Sequence, residues 1–584
     1  MPPVYLGRVR LWWCLRCNVP LISDRCALCM GEGVRVPVTP PGDVRPALRW
    51  DVATLNRLLE DRYGVPPVEG CIVLNRLPGR DRVEEVFVDG VRFALLRYDG
   101  RWKLSLTPEG ASLVLDDIKR GYVIADKGAS DSILKGSNLM APGVVEVAEN
   151  VKRGDEVVIL CGNVVATGVA RVSHGEVPVR GVAVKVRKAV TAEKMRRRGR
   201  GASWEEAVKA NEKALRALEE RGIRFVRDVA ERHKLPVLVS FSGGKDSMAT
   251  LLLVMKSGVP FRAFFLNTGI EFPETAEYVE SISRKYGLDM DVVSAGDAFW
   301  EGLKKFGPPG RDYRWCCKAV KLGPTVRYIL ERYSGSVLTF IGQRRYESEA
   351  RMRKGAVWRN EWVPNQIGAS PIQNWTALEV FLYLFREGAP INPWYERGLH
   401  RIGCYLCPAS DMGDLKIVEE HGLLDGWYSY LREYALSRGA DERWVRGGVW
   451  RWSSPPPWAR ETDSGEVPAL PREGLRVRVV AHGDAVRLVP SRPLNIDRLR
   501  NMANVLPPGA MDAETLTVRR DLKGAALQVV HRSENCVGCG ICMGRCPAGA
   551  LYIGEGGKVW VREERCSHCS RCLGPCPAFT FRRR

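Results

Sequence analysis

Val237-Leu238-Val239-Ser240-Phe241 runs without a break into Ser242-Gly243-Gly244-Lys245-Asp246-Ser247 and then into Met248-Ala249-Thr250-Leu251-Leu252. The first five residues read as a buried strand. The two glycines allow a tight turn that brings several backbone N–H groups toward a phosphate. The helix expected from Ser247 adds the partial positive charge of its N-terminus. Lys245 can neutralise phosphate charge, and Asp246 can place a magnesium ion or a substrate group. The spacing is not Walker A, which needs four residues between Gly and Gly-Lys. On both sides the chain alternates strand and helix signals. Phe264–Asn267 follows as a strand, a helix is expected from Glu274, and Val337–Ile341 is another strand. Such alternation predicts a parallel sheet with helices on both faces, whose ligands bind at the strand ends.

Further along lie Asn267-Thr268-Gly269-Ile270-Glu271-Phe272-Pro273-Glu274-Thr275, Gly342-Gln343-Arg344-Arg345-Tyr346-Glu347-Ser348 with Arg351, Pro371-Ile372-x2-Trp375 and Asn392-Pro393-x-Tyr395. With these, residues 236–410 resemble the PP-loop superfamily and, within it, the PAPS/APS reductase family. The resemblance implies an adenine nucleotide alpha hydrolase-like core spanning 235–452. It also implies a nucleotide site built from Ser242, Gly243, Gly244, Lys245, Asp246, Ser247, Asn267, Arg344, Arg345 and Arg351. On physical grounds the arginines offer forked donors suited to phosphate or sulfate, with surface ion pairing as the alternative.

Cys316-Cys317 lies far ahead of Cys404-x2-Cys407. In APS reductases such a pair and a distant Cys-x2-Cys hold a 4Fe-4S cluster. The resemblance therefore assigns one to Cys316, Cys317, Cys404 and Cys407, with catalytic roles for these four and for Lys245 and Asp246. A zinc site on the same thiolates is the alternative. Arg314, Lys318 and Arg401 flank the pair and the motif, and cationic neighbours offset thiolate charge. One departure stands out. The reductases carry a nucleophilic cysteine in a C-terminal Cys-Gly motif, and this chain has no cysteine between Cys407 and Cys536.

The last fifty residues hold Cys536-x2-Cys539-x2-Cys542-x3-Cys546-Pro547 and Cys566-x2-Cys569-x2-Cys572-x3-Cys576-Pro577. This doubled run has the bacterial ferredoxin spacing, in which the fourth cysteine of each run ligates the other cluster. Cys536, Cys539, Cys542 and Cys576 then hold one 4Fe-4S cluster, and Cys566, Cys569, Cys572 and Cys546 the second. Residues 531–584 resemble two-cluster ferredoxins and imply electron transfer. With the central set, three clusters are expected.

At the other end, Cys14-x2-Cys17 and Cys26-x2-Cys29 read as knuckles of a structural zinc site over 10–32, with a redox iron site as the alternative. Residues 45–118 are expected to form a small α+β domain, with a helix at Val52–Tyr63 and strands at Val86–Val91 and Phe93–Tyr98. Ile124–Ala129, Leu134–Val144, Gly154–Val157 and Ala166–Val169 make residues 119–190 resemble a PUA domain, an RNA-binding β-barrel. Lys185, Arg187, Lys188 and Arg196–Arg198 offer a candidate phosphate-binding face. Ser203 and Glu206 form a capping box for a connecting helix over 203–234. Residues 453–475 read as a Pro-rich linker, and 475–530 as a second small α+β region. The fold class expected is therefore multidomain α/β: a PP-loop parallel-sheet core with a zinc knuckle, a PUA barrel and a ferredoxin-like C-terminal domain.

The chain has 88 basic and 68 acidic residues among 584, a net charge of +20. That surplus suits a polyanionic partner. No apolar run approaches the roughly 18 residues that cross a bilayer, and the N-terminal residues lack a signal-peptide pattern. A cytoplasmic protein with no membrane partner is expected, its 18 cysteines mostly metal ligands. Cys71 and Cys161 are expected to be structural.

Three functions follow. An ATP-dependent, AMP-forming sulfur transfer to RNA, tRNA above all, uses electrons from the chain's own ferredoxin domain or an external donor. This reading agrees with the PUA module, the charge and the missing cysteine. The alternative is an APS or PAPS reductase releasing sulfite. A redox-sensing RNA-binding protein with an inert PP-loop is the third, and the intact SGGKDS argues against it.

Overall fold

The computed structural model describes residues 9–192, 201–462, 465–470 and 474–580. Its centre is a six-stranded sheet in the order Met290–Ser294, Arg262–Asn267, Val237–Phe241, Val337–Ile341, Val363–Ala369, Val357–Asn360. All neighbours are parallel except the last pair, which is antiparallel. From Val237–Phe241 the chain moves outward in one direction and then returns to build the other side. The carboxyl end of that strand is the switch point at which open α/β sheets bind ligands.

Helices Glu212–His233, Lys245–Ser257 and Ala377–Arg386 pack on one face around Val239, Leu251 and Phe340. Helix Gly323–Arg332 covers the other, with Val326 and Ile329 against Leu238, Phe264 and Val337. The helix after the turn begins at Lys245, two residues earlier than expected.

Cys14, Cys17, Cys26 and Cys29 hang from a three-stranded antiparallel sheet of Val19–Leu21, Leu11–Cys14 and Val34–Val36. Residues 44–113 form a five-stranded antiparallel meander carrying helix Arg49–Tyr63, which starts three residues ahead of the expected Val52. The two strands expected at Val86–Val91 and Phe93–Tyr98 are present with shifted bounds, Val83–Val88 and Val91–Tyr98. They are joined by an Asp89-Gly90 turn with both residues at positive φ (52° and 78°), the hairpin geometry that Asp-Gly favours. Gly90 is required twice over, because a Cβ there would meet the Trp13 ring at 2.8 Å.

Residues 122–191 form a six-stranded sheet, order Leu139–Met140, Val182–Thr191, Val164–Ala170, Glu156–Cys161, Tyr122–Ala125, Val144–Val147. Arg187 pairs with Glu156 at 2.6 Å and Lys188 with Glu109, so two of the candidate phosphate contacts already have acidic partners. Lys185 is exposed, and Arg196–Arg198 lie outside the described residues.

The connecting helix is two helices, Trp204–Ala210 and Glu212–His233. The Ser203–Glu206 capping box is formed as expected. The break falls at buried Asn211, whose side chain accepts from the Ile22 N–H (2.8 Å) and donates to the carbonyls of Pro20 (2.9 Å) and Ala207 (2.8 Å). The helix is interrupted where it holds the cysteine knuckle.

Residues 477–519 contribute a four-stranded sheet and helix Ile496–Ala503, packed through Leu499 and Met502 on helix Lys523–Asn535 of the C-terminal module. Buried Cys71 donates to the carbonyls of Ala202 and Ser203, and buried Cys161 to that of Asp126. Both serve packing. Among the described residues no helix is long and apolar enough to cross a membrane.

Candidate active site

The turn at Ser242–Ser247 is fixed from inside and outside. The Ser247 hydroxyl donates to the Gly244 carbonyl (2.8 Å) and accepts from the Ser242 N–H (3.2 Å). Gly243 has φ 73°, and a Cβ on it would strike Thr275 Cγ2 at 2.8 Å. The Lys245 N–H, at the helix start, donates to the Tyr395 hydroxyl (2.9 Å). Tyr395 is set by Asn392, which donates to the Thr275 hydroxyl at 2.9 Å. The Asn-Pro-x-Tyr motif therefore braces the turn.

Two buried ion pairs tie down the charged residues of the turn. Lys245 Nζ lies 3.0 Å from Asp246 Oδ2 and 5.5 Å from the Tyr395 ring centroid. Arg344 Nε lies 2.6 Å from Asp246 Oδ1, and its Nη atoms grip Asp43 at 2.8 and 2.9 Å. Burial opposes ionisation of Asp246, but Arg344 and Lys245 outweigh it and hold the carboxyl down to about 2. Arg344 acts through Asp246 and Asp43, where the sequence suggested direct anion contact. Arg351 pairs with Glu347 and still lines the cavity described next.

That cavity, of about 470 Å³, brings the two motifs together. Ser242, Gly244, Asp246 and Ser247 line one part of it, and Cys317, Cys404 and Cys407 another. Cys316 is buried beside Cys317. The strand-end segment Thr268–Glu271 brackets the second pair: Tyr405 N–H donates to the Ile270 carbonyl (3.1 Å), and Cys404 faces Glu271 at 3.7 Å. Asn267 caps its own turn by accepting from the Gly269 N–H, and Arg345 reaches Asn374 at the surface. Neither lines this cavity.

A hydrogen bond from the Cys316 thiol, reinforced by Lys321, Arg314 and Lys318, draws the Cys317 thiol down to about 5, whereas burial lifts Cys404 to about 12. Three cysteines lining a cation-bearing cavity, with Cys316 buried next to them, fit an iron–sulfur cluster, whose charge Lys321 and Arg314 would offset. Lys321 also sits 3.6 Å from Glu271, which accepts from the Thr268 hydroxyl at 2.8 Å. The sequence reading passed over Lys321 and Glu271. The only signals were one helical turn between Cys317 and Lys321 and the place of Glu271 inside the strand-end motif.

The C-terminal cysteines divide as the ferredoxin spacing requires. One cavity is lined by Cys536, Cys539, Cys542 and Cys576, a second by Cys546, Cys566, Cys569 and Cys572. Buried Arg532 donates to the carbonyls of Cys572 and Gly574, both at 2.8 Å, and bridges the two. The N-terminal set is tighter: Cys14 and Cys29 sulfurs are 3.5 Å apart, and Cys17 and Cys26 3.9 Å. Tetrahedral zinc with bonds of about 2.3 Å separates its sulfurs by about 3.8 Å. Among the described residues, this group and His400-Asp411-Asp414 are those that gather three or more ligand atoms within 4.8 Å. In the second group the carboxylates are already neutralised by Arg76 (2.6 Å to Asp411) and Arg82 (3.0 Å to Asp414). That group is an ion-pair network.

The first cysteine cavity abuts the central domain. A Cβ on Gly323 would lie 2.3 Å from the Cys539 carbonyl oxygen. Lys305 Nζ donates to the Cys536 carbonyl at 2.8 Å, and Cys539 and Ile541 share a core with Val326 and Phe264. Only the five-residue π-helical turn Lys318–Leu322 separates Gly323 from Cys317.

Three family models match the chain: the phosphoadenosine phosphosulfate reductase domain over residues 236–410, the PUA domain over 121–190 and the 4Fe-4S dicluster domain over 535–580. The chain is 38% identical over 467 residues to the uncharacterized protein MJ0066 of Methanocaldococcus jannaschii, covering 77% of this chain and 97% of that protein. It is 29% identical over 199 residues to an adenosine 5'-phosphosulfate reductase of Burkholderia cepacia, covering 33% of this chain and 77% of that one. Among solved structures, the phosphoadenylyl-sulfate reductase of Candida auris in its phosphate complex aligns at 20% identity and a TM-score of 0.26, over 33% of this chain and 95% of that one.

Proposed function

This chain belongs to the family of that Methanocaldococcus protein, with a PAPS reductase domain set between an RNA-binding PUA domain and a dicluster 4Fe-4S domain, and we propose that it transfers sulfur to RNA at the expense of ATP. The observation that carries this reading is the single cavity shared by the Ser242–Ser247 turn and the central cysteines. It occurs in a chain without any cysteine from 408 to 535 to serve as the reductases' nucleophile.

In this reaction an RNA base oxygen attacks the α-phosphorus of ATP. A base–O–AMP bond forms and pyrophosphate leaves. Sulfur then adds to the same base carbon, the carbon–oxygen bond breaks and AMP departs. If the sulfur arrives as a persulfide, two electrons free it at the level of sulfide, and the ferredoxin domain or an external donor supplies them. The backbone N–H groups of the turn and the helix beginning at Lys245 cradle the phosphates. Lys245 meets phosphate charge, Asp246 positions Lys245 and would hold a magnesium ion, and Arg351 supports the cavity wall. A cluster held by Cys316, Cys317, Cys404 and Cys407 would supply redox chemistry beside the phosphates. In this reading zinc in the N-terminal knuckle is structural, and tRNA is the RNA.

A second reading rests on the similarity to adenosine 5'-phosphosulfate reductase. There APS or PAPS accepts two electrons, the phosphate-to-sulfate linkage breaks, and sulfite leaves with AMP or its 3'-phosphate. The test separates the two readings. Anaerobic, reduced protein is incubated with ATP, a persulfide donor and tRNA transcripts, or with APS or PAPS alone. Thiolated nucleoside with stoichiometric AMP is expected from the first mixture. Sulfite from the second, without RNA, overturns the transferase.

A further inference from the structure

Beside the cavity of the turn and the cysteines lies another of about 450 Å³. Arg76, Glu347, His400, Arg401 and Asp411 line both and form the wall between them. The turn contributes to each: Gly244, Asp246 and Ser247 face the cysteine chamber, and Lys245 faces the second. The other side of the second chamber belongs to the N-terminal module, through the segments Pro41–Asp43 and Arg76–Gly79. That module carries the PUA domain, with Arg62 on Asp155 at 2.9 Å joining them.

From this arrangement we propose that the second chamber receives the acceptor nucleotide of the RNA, unstacked from its helix, with its base beside Lys245 and the dividing wall. The inference rests on the RNA-transferase reading above.

Three features favour a nucleotide. The volume suits one nucleotide-sized ligand. The lining sets an aromatic face and apolar edges, Tyr346, Leu77 and Pro78, which suit a stacked base, beside Arg401, which can meet its phosphate; the other cations already face acids, as Arg76 does Asp411 and Arg344 does Asp43. The mouth is open, since Arg76, Pro78 and Gly79 are exposed. A base must leave its stack to present a ring atom to an enclosed site.

The wall is ready for such a ligand. Arg401 lines both chambers and has no hydrogen-bond or ion-pair partner among the described residues. His400 is fixed: Arg76 Nη1 donates to its Nε2 at 2.9 Å, which leaves Nδ1–H toward Asp414 Oδ1 at 3.3 Å. A sulfonucleotide reductase has one nucleotide to hold. Two chambers meeting at one phosphate-binding turn are what a reaction between a nucleotide and a second large substrate requires.

Photo-crosslinking decides the matter on the full chain. tRNA transcripts carrying 5-bromouridine are bound, irradiated and the adducts mapped by mass spectrometry. Adducts on Tyr346 or on residues 76–82 are expected. Adducts confined to 119–190 overturn the inference and leave RNA binding standing. Absence of any adduct, with no RNA retained on a filter, overturns both it and the transferase.

Leu77→Trp fills the chamber, and Tyr346→Ala removes its aromatic face without adding volume. Leu77→Trp should lower the adducts on Tyr346, and Tyr346→Ala those on residues 76–82, each about tenfold or more, while ATP affinity stays within about twofold. A loss of ATP affinity as large as the loss of adducts, in protein retaining its iron and zinc, gives the chamber to ATP and overturns the inference. Unchanged adducts in both variants overturn it as well.

Discussion

Lys245 Nζ sits 3.0 Å from Asp246 while its own N–H is taken by the Tyr395 hydroxyl, so a ligand meets its ammonium and not its backbone. Lys245→Ala leaves Asp246 with Arg344 alone and removes one charged donor. A hydrogen bond to a charged group contributes about 1.5–3 kcal/mol, so affinity for a non-hydrolysable ATP analogue should fall roughly 10- to 150-fold by titration calorimetry. An unchanged affinity would remove Lys245 from the nucleotide site. Cys404 lines the cavity together with Cys407. With the central cluster proposed above, Cys404→Ser should lower iron from about twelve to about eight atoms per chain, with zinc unchanged, because three four-iron sites would become two. Colorimetric iron assay on anaerobically purified protein checks this. At this scale the sequence was most readable where spacing is itself chemistry: eight cysteines at ferredoxin intervals separate into the two cavities that the pattern demands. It was least readable where a side chain acts through others. Arg344 looked like an anion ligand, yet its fork is filled by Asp43, 301 residues away in sequence, and by Asp246. Nothing near Arg344 announces that partner.

Between the small α+β domain and the central domain runs a buried charge network that no local pattern foretold. Arg45 pairs with Asp51 (2.7 Å) and Glu84 (2.9 Å), while Arg82 reaches Asp51 (3.2 Å), Glu84 (3.0 Å) and, across the interface, Asp414 (3.0 Å). Arg82 also donates to the Gly398 carbonyl at 2.7 Å and stacks near Trp50 and Trp102. Removing one partner of a buried pair leaves an unpaired charge, so Arg82→Met should cost about 3–5 kcal/mol in denaturant unfolding. The same elements set an acid limit. Burial opposes ionisation of Glu84, but Arg45 and Arg82 hold its carboxyl down to about 2, below the unfolded value of about 4.3. A depressed carboxyl stabilises the fold fully above its unfolded value and loses that contribution as pH falls toward the folded one. Stability should therefore be level from about pH 7 to 5 and fall below about pH 4, with a shallower fall in Glu84→Gln. Urea midpoints across that range test the sign. Elements with a local signal were legible: the strand at Val237–Phe241, the capping box at Ser203 and the strand at Val337–Ile341 lie where periodicity put them. The interruption at Asn211 was not, because its cause is a tertiary contact with Pro20 and Ile22. The Asp89-Gly90 turn carried a local hairpin signal that the hydrophobic run across it concealed.

At the scale of the whole molecule, the PUA domain precedes the central domain in the chain and the 4Fe-4S domain follows it. The net charge is +20, but Arg187 and Lys188 on the PUA sheet are paired with Glu156 and Glu109 and are less available to phosphate. Each remaining phosphate contact to single-stranded RNA should contribute about −0.7 to the slope of log K against log salt, and filter binding from low to moderate salt reads that slope. A flat dependence would count against a basic RNA face. The electron side gives the sharper prediction. Gly323 admits the Cys539 carbonyl at a distance where any Cβ would intrude, and Gly540 likewise gives room to Arg327, whose Cγ a Cβ would meet at 2.7 Å. Backbones this close let the ferredoxin module sit one short turn of chain from Cys317. Gly323→Leu sets its Cβ 2.3 Å from the Cys539 carbonyl oxygen and must push the module away, while every cysteine ligand stays in the chain. Iron content and ATP affinity should hold. The rate at which the central iron–sulfur signal is reduced after mixing with a reduced protein donor should fall by about tenfold or more, read by freeze-quench electron paramagnetic resonance. Truncating the chain would not give this result cleanly, because Cys539 and Ile541 share a core with Val326 and Phe264, and removing them exposes that face. A variant that keeps every ligand and loses only proximity isolates the contribution of docking. If Gly323→Leu reduces as fast as the parent while protease sensitivity shows the module displaced, electrons reach the central cysteines by another route, and the contact through Cys539 is structural alone.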